Sequence, residues 1–271
     1  MLFVTWNKDT LAAKSSSSWN DADYSRNKMT LTAIDNSQRS AAKVAGWSGL
    51  ITFAIVVFGN YFLLNPLVVS GDAAATAQNI AAHQTQFRIT VVCFLTYSLG
   101  VVVLLSALYV ILKPLNPGLA LVGALSRLVF ALLWLLSTLN LLAMLRLLSN
   151  VNYLQVFEPN RLQALARLHL GATFDDYYVG LPFFGLAATV CAWLWLKSNY
   201  IPKGLAIFGV ISSAWCVLCA FIFLIFPHFN KVVNDYLFDS SMALFELIVS
   251  FWLLFKGLKP VPPNQSQTSA L

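Results

Sequence analysis

The chain has three histidines, His83, His169 and His228, and each falls in a polar stretch between apolar blocks, in company with Asp72, Glu158, Asp175, Asp176, Asp235 and Asp239. Imidazole and carboxylate are the ligands of zinc and the acid–base groups of hydrolases, so these residues define the first chemistry to look for. Their spacing does not support it. No histidine has another at i+3 or i+4, and H-E-x-x-H, G-x-S-x-G and phosphate-cradling glycine motifs are missing from the sequence. On these grounds we expect neither a metal site nor a cofactor. Cys216 and Cys219 spell C-x-x-C, but their context is "SAWCVLCAFIF", and Cys93 and Cys191 also sit in apolar runs. All four read as small side chains packed within helices. A different chemistry is carried by Arg127 and Glu246, two ionisable residues inside long apolar blocks, where a charge must find a partner.

The elements that position these groups follow from composition. Of 271 residues, 58% are hydrophobic and 10% are charged, far from the roughly one-quarter charged residues of an ordinary globular domain. Apolar blocks recur at Gly46–Leu64, Ile89–Leu112, Leu119–Leu145, Tyr177–Leu196, Gly204–Phe226 and Ser240–Phe255. Each has roughly the 20 helical residues that cross a bilayer core of about 30 Å. The expected fold is therefore all-α: a polytopic bundle of about six transmembrane helices spanning residues 44–258, with short amphipathic helices on its outer face. Residues 1–43 read as a disordered cytoplasmic tail and 259–271 as a second one. The formal charge of +6 comes largely from cations beside the blocks, so the partner it implies is the lipid bilayer and not a nucleic acid.

Orientation follows from those cations. With the N-terminus inside, Arg26, Lys28, Arg39, Lys43, Lys113, Lys197, Lys203, Lys256 and Lys259 flank the inner ends. Arg88, Arg146, Arg161, Arg167 and Lys231 flank the outer ones, five against nine. The excess places both termini in the cytoplasm.

Two connections then lie outside. In "GDAAATAQNIAAHQTQFR", Asp72, Thr76, Asn79, His83 and Gln86 are spaced 4, 3, 4, 3 and share one stripe of a helix capped by Asp72, with Arg88 just beyond. The stripe predicts an amphipathic helix with its polar face to water; binding by Asp72, Thr76, Asn79, His83 and His169 is the alternative. In the second connection, Asn160–Leu170 predicts a short helix stopped by Gly171, after which Asp175 and Asp176 begin the fourth span. Arg127 and Glu246 each lie ten residues from an inner boundary, at Pro117 and Lys256, so both sit about 15 Å deep. This predicts that the third and sixth helices touch through an Arg127–Glu246 pair acting mainly as a structural clamp. Otherwise Arg127 reaches back to the interface and Glu246 is protonated or partnered by a polar group such as Asn140.

Several pieces in order, "AAKVAGWSGLITF", "GDAAATAQNI", "LYVILKPLN", "LALVGALSRL", "GLPFFGL", "SNYIP" and "ELIVSFWLLFKG", resemble the bacterial membrane-protein family known as domain of unknown function 4386, from about Ala41 to Gly257. The resemblance implies a multi-pass protein of the bacterial cytoplasmic membrane and no activity. The chain departs from the family pattern in lacking a Gly-Tyr pair late in the fifth span, and in Phe245, which stands where a glycine usually precedes the glutamate. "MTLTAIDNSQRSAAKVAG" is similar to the usual start of a family member, which points to translation from Met29.

Two function classes remain open. A transporter or channel-like protein would draw on Asn60, Ser137, Asn140 and Glu246 as polar groups within spans, although the two halves of the chain show no inverted repeat. A membrane-embedded hydrolase would need its histidines and carboxylates to converge at one interface.

Overall fold

The computed structural model describes residues 34–149, 152–154, 156–226, 229, 233 and 235–259. Residues 1–33, His228, Lys231 and the side chain of Asp235 lie outside that description. Among these residues seven α-helices follow one another: α1 Asn36–Val57, α2 Ala73–Ala82, α3 Gln84–Leu112, α4 Pro117–Leu148, α5 Pro159–Ser198, α6 Lys203–Ile225 and α7 Asp235–Phe255. All but α2 are long and apolar enough to cross a membrane. The chain is a polytopic helical membrane protein.

Local chemistry sets the helix ends. Asp35 caps α1, and its backbone N–H donates to Gln38 Oε1 at 3.2 Å. Ordered structure therefore reaches into the segment expected as a tail: α1 begins at Asn36, and Gln38, Ala41 and Ala42 are buried. Gln38 Nε2 donates to the Ile111 carbonyl and to the Tyr200 hydroxyl, tying the start of α1 to the end of α3 and to the α5–α6 link. Asn116 accepts from the Leu119 N–H at 2.9 Å, with Pro117 opening α4. Asn199, in the left-handed region at φ 57°, ends α5.

The six long helices close into a ring. Each packs on the next in the order α1, α3, α4, α5, α6, α7, and α7 returns to α1. Small residues permit the closest approaches: a Cβ on Gly46 would meet the Ser250 carbonyl oxygen at 2.9 Å, and one on Gly209 would run into the Phe245 ring. Phe245 is fully buried there. Gly209 on α6 thus leaves room for the large residue that α7 carries where a glycine was expected.

Two expectations about the connections are corrected. The helix expected to stop at Gly171 does not: α5 runs unbroken for 40 residues, about 60 Å, through Gly171 and the Asp175–Asp176 pair. A glycine inside a helix costs only about 1 kcal/mol, and packing of α5 along α4 outweighs that cost. The α2 stripe does not face water as a whole. Thr76 is fully buried, its Oγ1 accepting from the Val69 N–H and donating to the Asp72 carbonyl. Asn79 Nδ2 donates to the Leu67 carbonyl, and Gln86 Nε2 to that of Leu63. The reason lies in the end of α1, which widens into a π-helical turn at Phe58–Leu64 and tightens into a 3-10 turn at Asn65–Leu67. Such irregular turns leave carbonyls unpaired, and the polar stripe satisfies them.

Candidate functional site

Packing order places α4 and α7 on opposite sides of the ring. They are not among the closely packed pairs, and the expected contact between the third and sixth spans is made by two long side chains that bridge the space between them. Arg127 Nη2 pairs with Glu246 Oε1, and Nη1 donates to Oε2 at 3.3 Å, a two-pronged contact. The guanidinium also lies over the Phe184 ring of α5, 5.0 Å from its centroid. Arg127 is buried, whereas the Glu246 side chain is 24% accessible. Glu246 sits on the face of α7 whose other members, Met242, Phe245, Val249, Ser250 and Leu253, are buried. Its side chain lines a small cavity beside Arg127.

A cavity with about 20 Å³ of free room adjoins the pair, lined by Arg127, Glu246, Cys191, Trp195, Ser250 and aliphatic side chains. A water needs about 10–15 Å³ on this measure, so one or two would fit. Arg127 Nε and Trp195 Nε1 are buried without a hydrogen-bond partner. A smaller cavity of about 10 Å³ reaches from Arg127 past Gly123 and Ala120 to Tyr109 and Leu112, beside Lys113. Toward the α2 end the axis is filled instead. Tyr97, Phe130 and Trp134 form an edge-on cluster, and Phe130 stacks on Phe184 with centroids 4.6 Å apart. Asp239, two turns before Glu246 on α7, accepts from the Tyr177 hydroxyl there.

Among the described residues, the histidine and carboxylate candidates do not converge on one centre. Asp72 caps α2, accepting from the Ala75 N–H at 2.8 Å. His83 is exposed, with Nδ1 3.0 Å from the Asn79 carbonyl, and Arg88 and Asp175 are also exposed. His169 joins a different group. Its Nδ1 lies 3.1 Å from Asn140 Oδ1, Asn140 Nδ2 donates to Asp176 at 2.8 Å, and Ser137 Oγ donates to the same Asp176 oxygen at 3.3 Å. Because the Asn140 amide nitrogen faces the carboxylate, its oxygen faces His169, whose Nδ1 carries the proton. The sequence held all four residues, but their meeting depends on the unbroken α5, which the reading of Gly171 as a stop concealed. The Ser137 hydroxyl goes to the Asp176 carboxylate and not to the imidazole, so these residues do not form a Ser–His nucleophile pair. Among the described residues, no three His, Cys, Asp or Glu side chains are grouped to hold a metal ion. Cys191, Cys216 and Cys219 are buried free thiols within helices.

One end of the ring carries Arg39, Lys43, Lys113, Lys197, Lys203, Lys256 and Lys259, and the other Arg88, Arg146, Arg161 and Arg167. Lys113, Lys197 and Lys259 lie over Tyr109, Trp193 and Trp252, 5.8, 4.7 and 5.2 Å from the ring centroids. No curated protein and no solved structure matches the chain. Residues 44–257, which include every residue of the six-helix ring except the first turns of α1, match the family described as Domain of unknown function (DUF4386), and the chain belongs to that family.

Proposed function

We propose that this protein is a membrane transport protein whose charge-bearing site is the Arg127–Glu246 pair. The observation that carries the reading is the position of the pair: it joins opposite helices of a six-helix ring, beside a small cavity that both residues line. Ionisable residues within membrane spans are rare, face the bundle interior and mark ion or substrate paths. A clamp alone would be better served by packed apolar residues, since a buried ion pair adds little net stability. The two halves of the axis also differ. A second small cavity of about 10 Å³ lies between Arg127 and Tyr109 on the lysine-rich side, whereas aromatic rings pack against one another on the α2 side. A carrier at rest with one gate shut has this asymmetry.

In this reading the lysine-rich end faces the cytoplasm of a bacterial inner membrane, and both termini lie inside. The support is the cation excess there and the Lys–aromatic pairs that suit an interface. The test is ion flux. Purified protein in liposomes should move at least one of H⁺, Na⁺, K⁺ and Cl⁻ faster than empty vesicles do. Arg127→Gln should reduce that flux at least about tenfold while keeping its elution profile, in line with the loss of one charged contact. Well-folded wild type that moves none of these ions overturns the proposal.

A further inference from the structure

Ser137, Asn140, Thr173 and Asp176 meet where α4 packs on α5. Ser137 lies ten residues beyond Arg127 along α4, about 15 Å nearer the α2 end, so this group is separate from the axial pair. Three observations there point the same way. Asp176 is a half-buried carboxylate, and the ion pairs among the described residues are Arg127–Glu246 and Arg161–Glu158, so its charge has no basic partner. Ser137 departs from the pattern of the other spans. Thr52, Ser98, Thr138 and Ser250 each donate to a carbonyl one turn back in their own helix, whereas Ser137 turns its oxygen across to α5. The third observation is distance. Ser137 Oγ is 3.3 Å from Asp176 Oδ2 and 3.4 Å from the Thr173 carbonyl oxygen. O–H···O bonds run to about 3.0 Å, and one hydroxyl has a single hydrogen for both acceptors. A cation that holds oxygens at about 2.4 Å sets neighbouring ligands about 3.4 Å apart.

We propose that Ser137 Oγ, the Thr173 carbonyl and the Asp176 carboxylate form a binding site for a sodium ion. Hydroxyl, carbonyl and carboxylate oxygens are ligands for hard cations and not for transition metals. One carboxylate among neutral oxygens balances one positive charge. Magnesium, with ligands at about 2.1 Å, needs its oxygens about 3.0 Å apart, and calcium takes six to eight oxygens. Potassium is larger and needs a wider set. Asn140 positions the carboxylate: its Nδ2 donates to Asp176 Oδ2 at 2.8 Å, while its Oδ1 is held by His169 Nδ1 at 3.1 Å. With the ion bound, the Ser137 hydrogen turns back to a carbonyl of α4, as that of the adjacent Thr138 already does. The open side of Asp176 leaves room for water to complete the shell. This inference goes beyond the transport reading and does not depend on it, because an ion bound here stabilises the fold whether or not anything crosses the membrane.

The test is thermal stability of the detergent-purified full chain, with sodium chloride, potassium chloride, magnesium chloride or calcium chloride titrated against N-methylglucamine chloride at constant ionic strength. The melting temperature of the wild type should rise with sodium and level off as a single site fills, with potassium at least about tenfold weaker. Asp176→Asn keeps the shape and removes the charge, and should weaken sodium at least about tenfold; Ser137→Ala removes one ligand and should do the same, as expected for a polar contact to a charge. Asp175→Asn takes a charge from the exposed neighbour and should shift the sodium midpoint by less than about twofold. If Asp176→Asn does not fold, Ser137→Ala carries the comparison. A melting temperature that ignores sodium, or that responds as well to potassium, magnesium or calcium, overturns the inference. So does a sodium response that Ser137→Ala leaves unchanged. Sodium-dependent stability without flux of any ion in liposomes would uphold this site and refute the transport reading, whereas flux with no sodium-dependent stability would do the reverse.

Discussion

Breaking the axial ion pair is the most informative perturbation, because its cost can be worked from the geometry in two ways. Two unit charges about 4 Å apart at an effective dielectric near 20 attract by about 4 kcal/mol. Independently, removing one partner of a buried pair costs about 3–5 kcal/mol, most of it the penalty of the charge left behind. Arg127→Gln should sit at the low end, about 3 kcal/mol, because the Glu246 left behind is partly accessible. Glu246→Gln strands Arg127, which is only 4% accessible and keeps the Phe184 face as its remaining contact, so about 3–4 kcal/mol is expected. The double variant removes both charges and leaves no stranded ion. It should be no less stable than either single variant, a coupling of about 3–4 kcal/mol. For a domain of this size 1 kcal/mol moves the melting temperature by about 2–4 °C. Each single variant should therefore melt about 6–16 °C below wild type in the same detergent at one scan rate, with the double variant no lower. Losses that add to within about 0.5 kcal/mol would mean that the two groups act independently, and the bridge across the ring would be refuted.

Three further outcomes follow from the packing. Gly171 lies inside α5, and a Cβ added there would meet nothing within 4 Å, so Gly171→Ala should raise stability by about 0.5–1 kcal/mol; a loss of stability would mean that the helix stops there after all. Gly46→Ala would push a methyl against the Ser250 carbonyl and the Leu254 N–H, which are backbone and cannot step aside, so a loss of about 1–3 kcal/mol is expected, while Gly204→Ala, with open space around it, should be near neutral in the same melt. Thr76→Val removes the hydroxyl that holds both polar groups of Val69 and should cost about 1–3 kcal/mol, read out as the same drop in melting temperature and as faster hydrogen exchange of the Val69 N–H.

How far the sequence could be read depended on whether the signal was local or relational. Six spans were legible because a bilayer demands about 20 apolar helical residues, and each block states that locally. The depth of Arg127 and Glu246 was legible for the same reason: ten residues from Pro117 and ten from Lys256 put both at about 15 Å. What no count of residues could state was the order of helices around the ring. The contact of the third and sixth spans through Arg127 and Glu246 follows from their shared depth, and side chains reaching across the ring make it between helices that are not closely packed.

The two connections went astray through a common cause. Gly171 and the α2 stripe were judged against water, with glycine as a helix stop and a polar stripe as a wetted face. Both are decided by neighbours in three dimensions. Gly171 stays helical because α5 packs along α4 as far as His169 and Asn140, and Thr76, Asn79 and Gln86 turn inward because the end of α1 presents carbonyls that its own irregular turns leave unpaired. In a lipid-embedded chain an unpaired carbonyl costs several kcal/mol, which exceeds what an exposed amide gains from water. Polar residues beside an irregular helix end in such a chain should be read first as partners for that backbone, and as a site only when a charge is left over. Here the charge left over is on the axis, at Arg127 and Glu246.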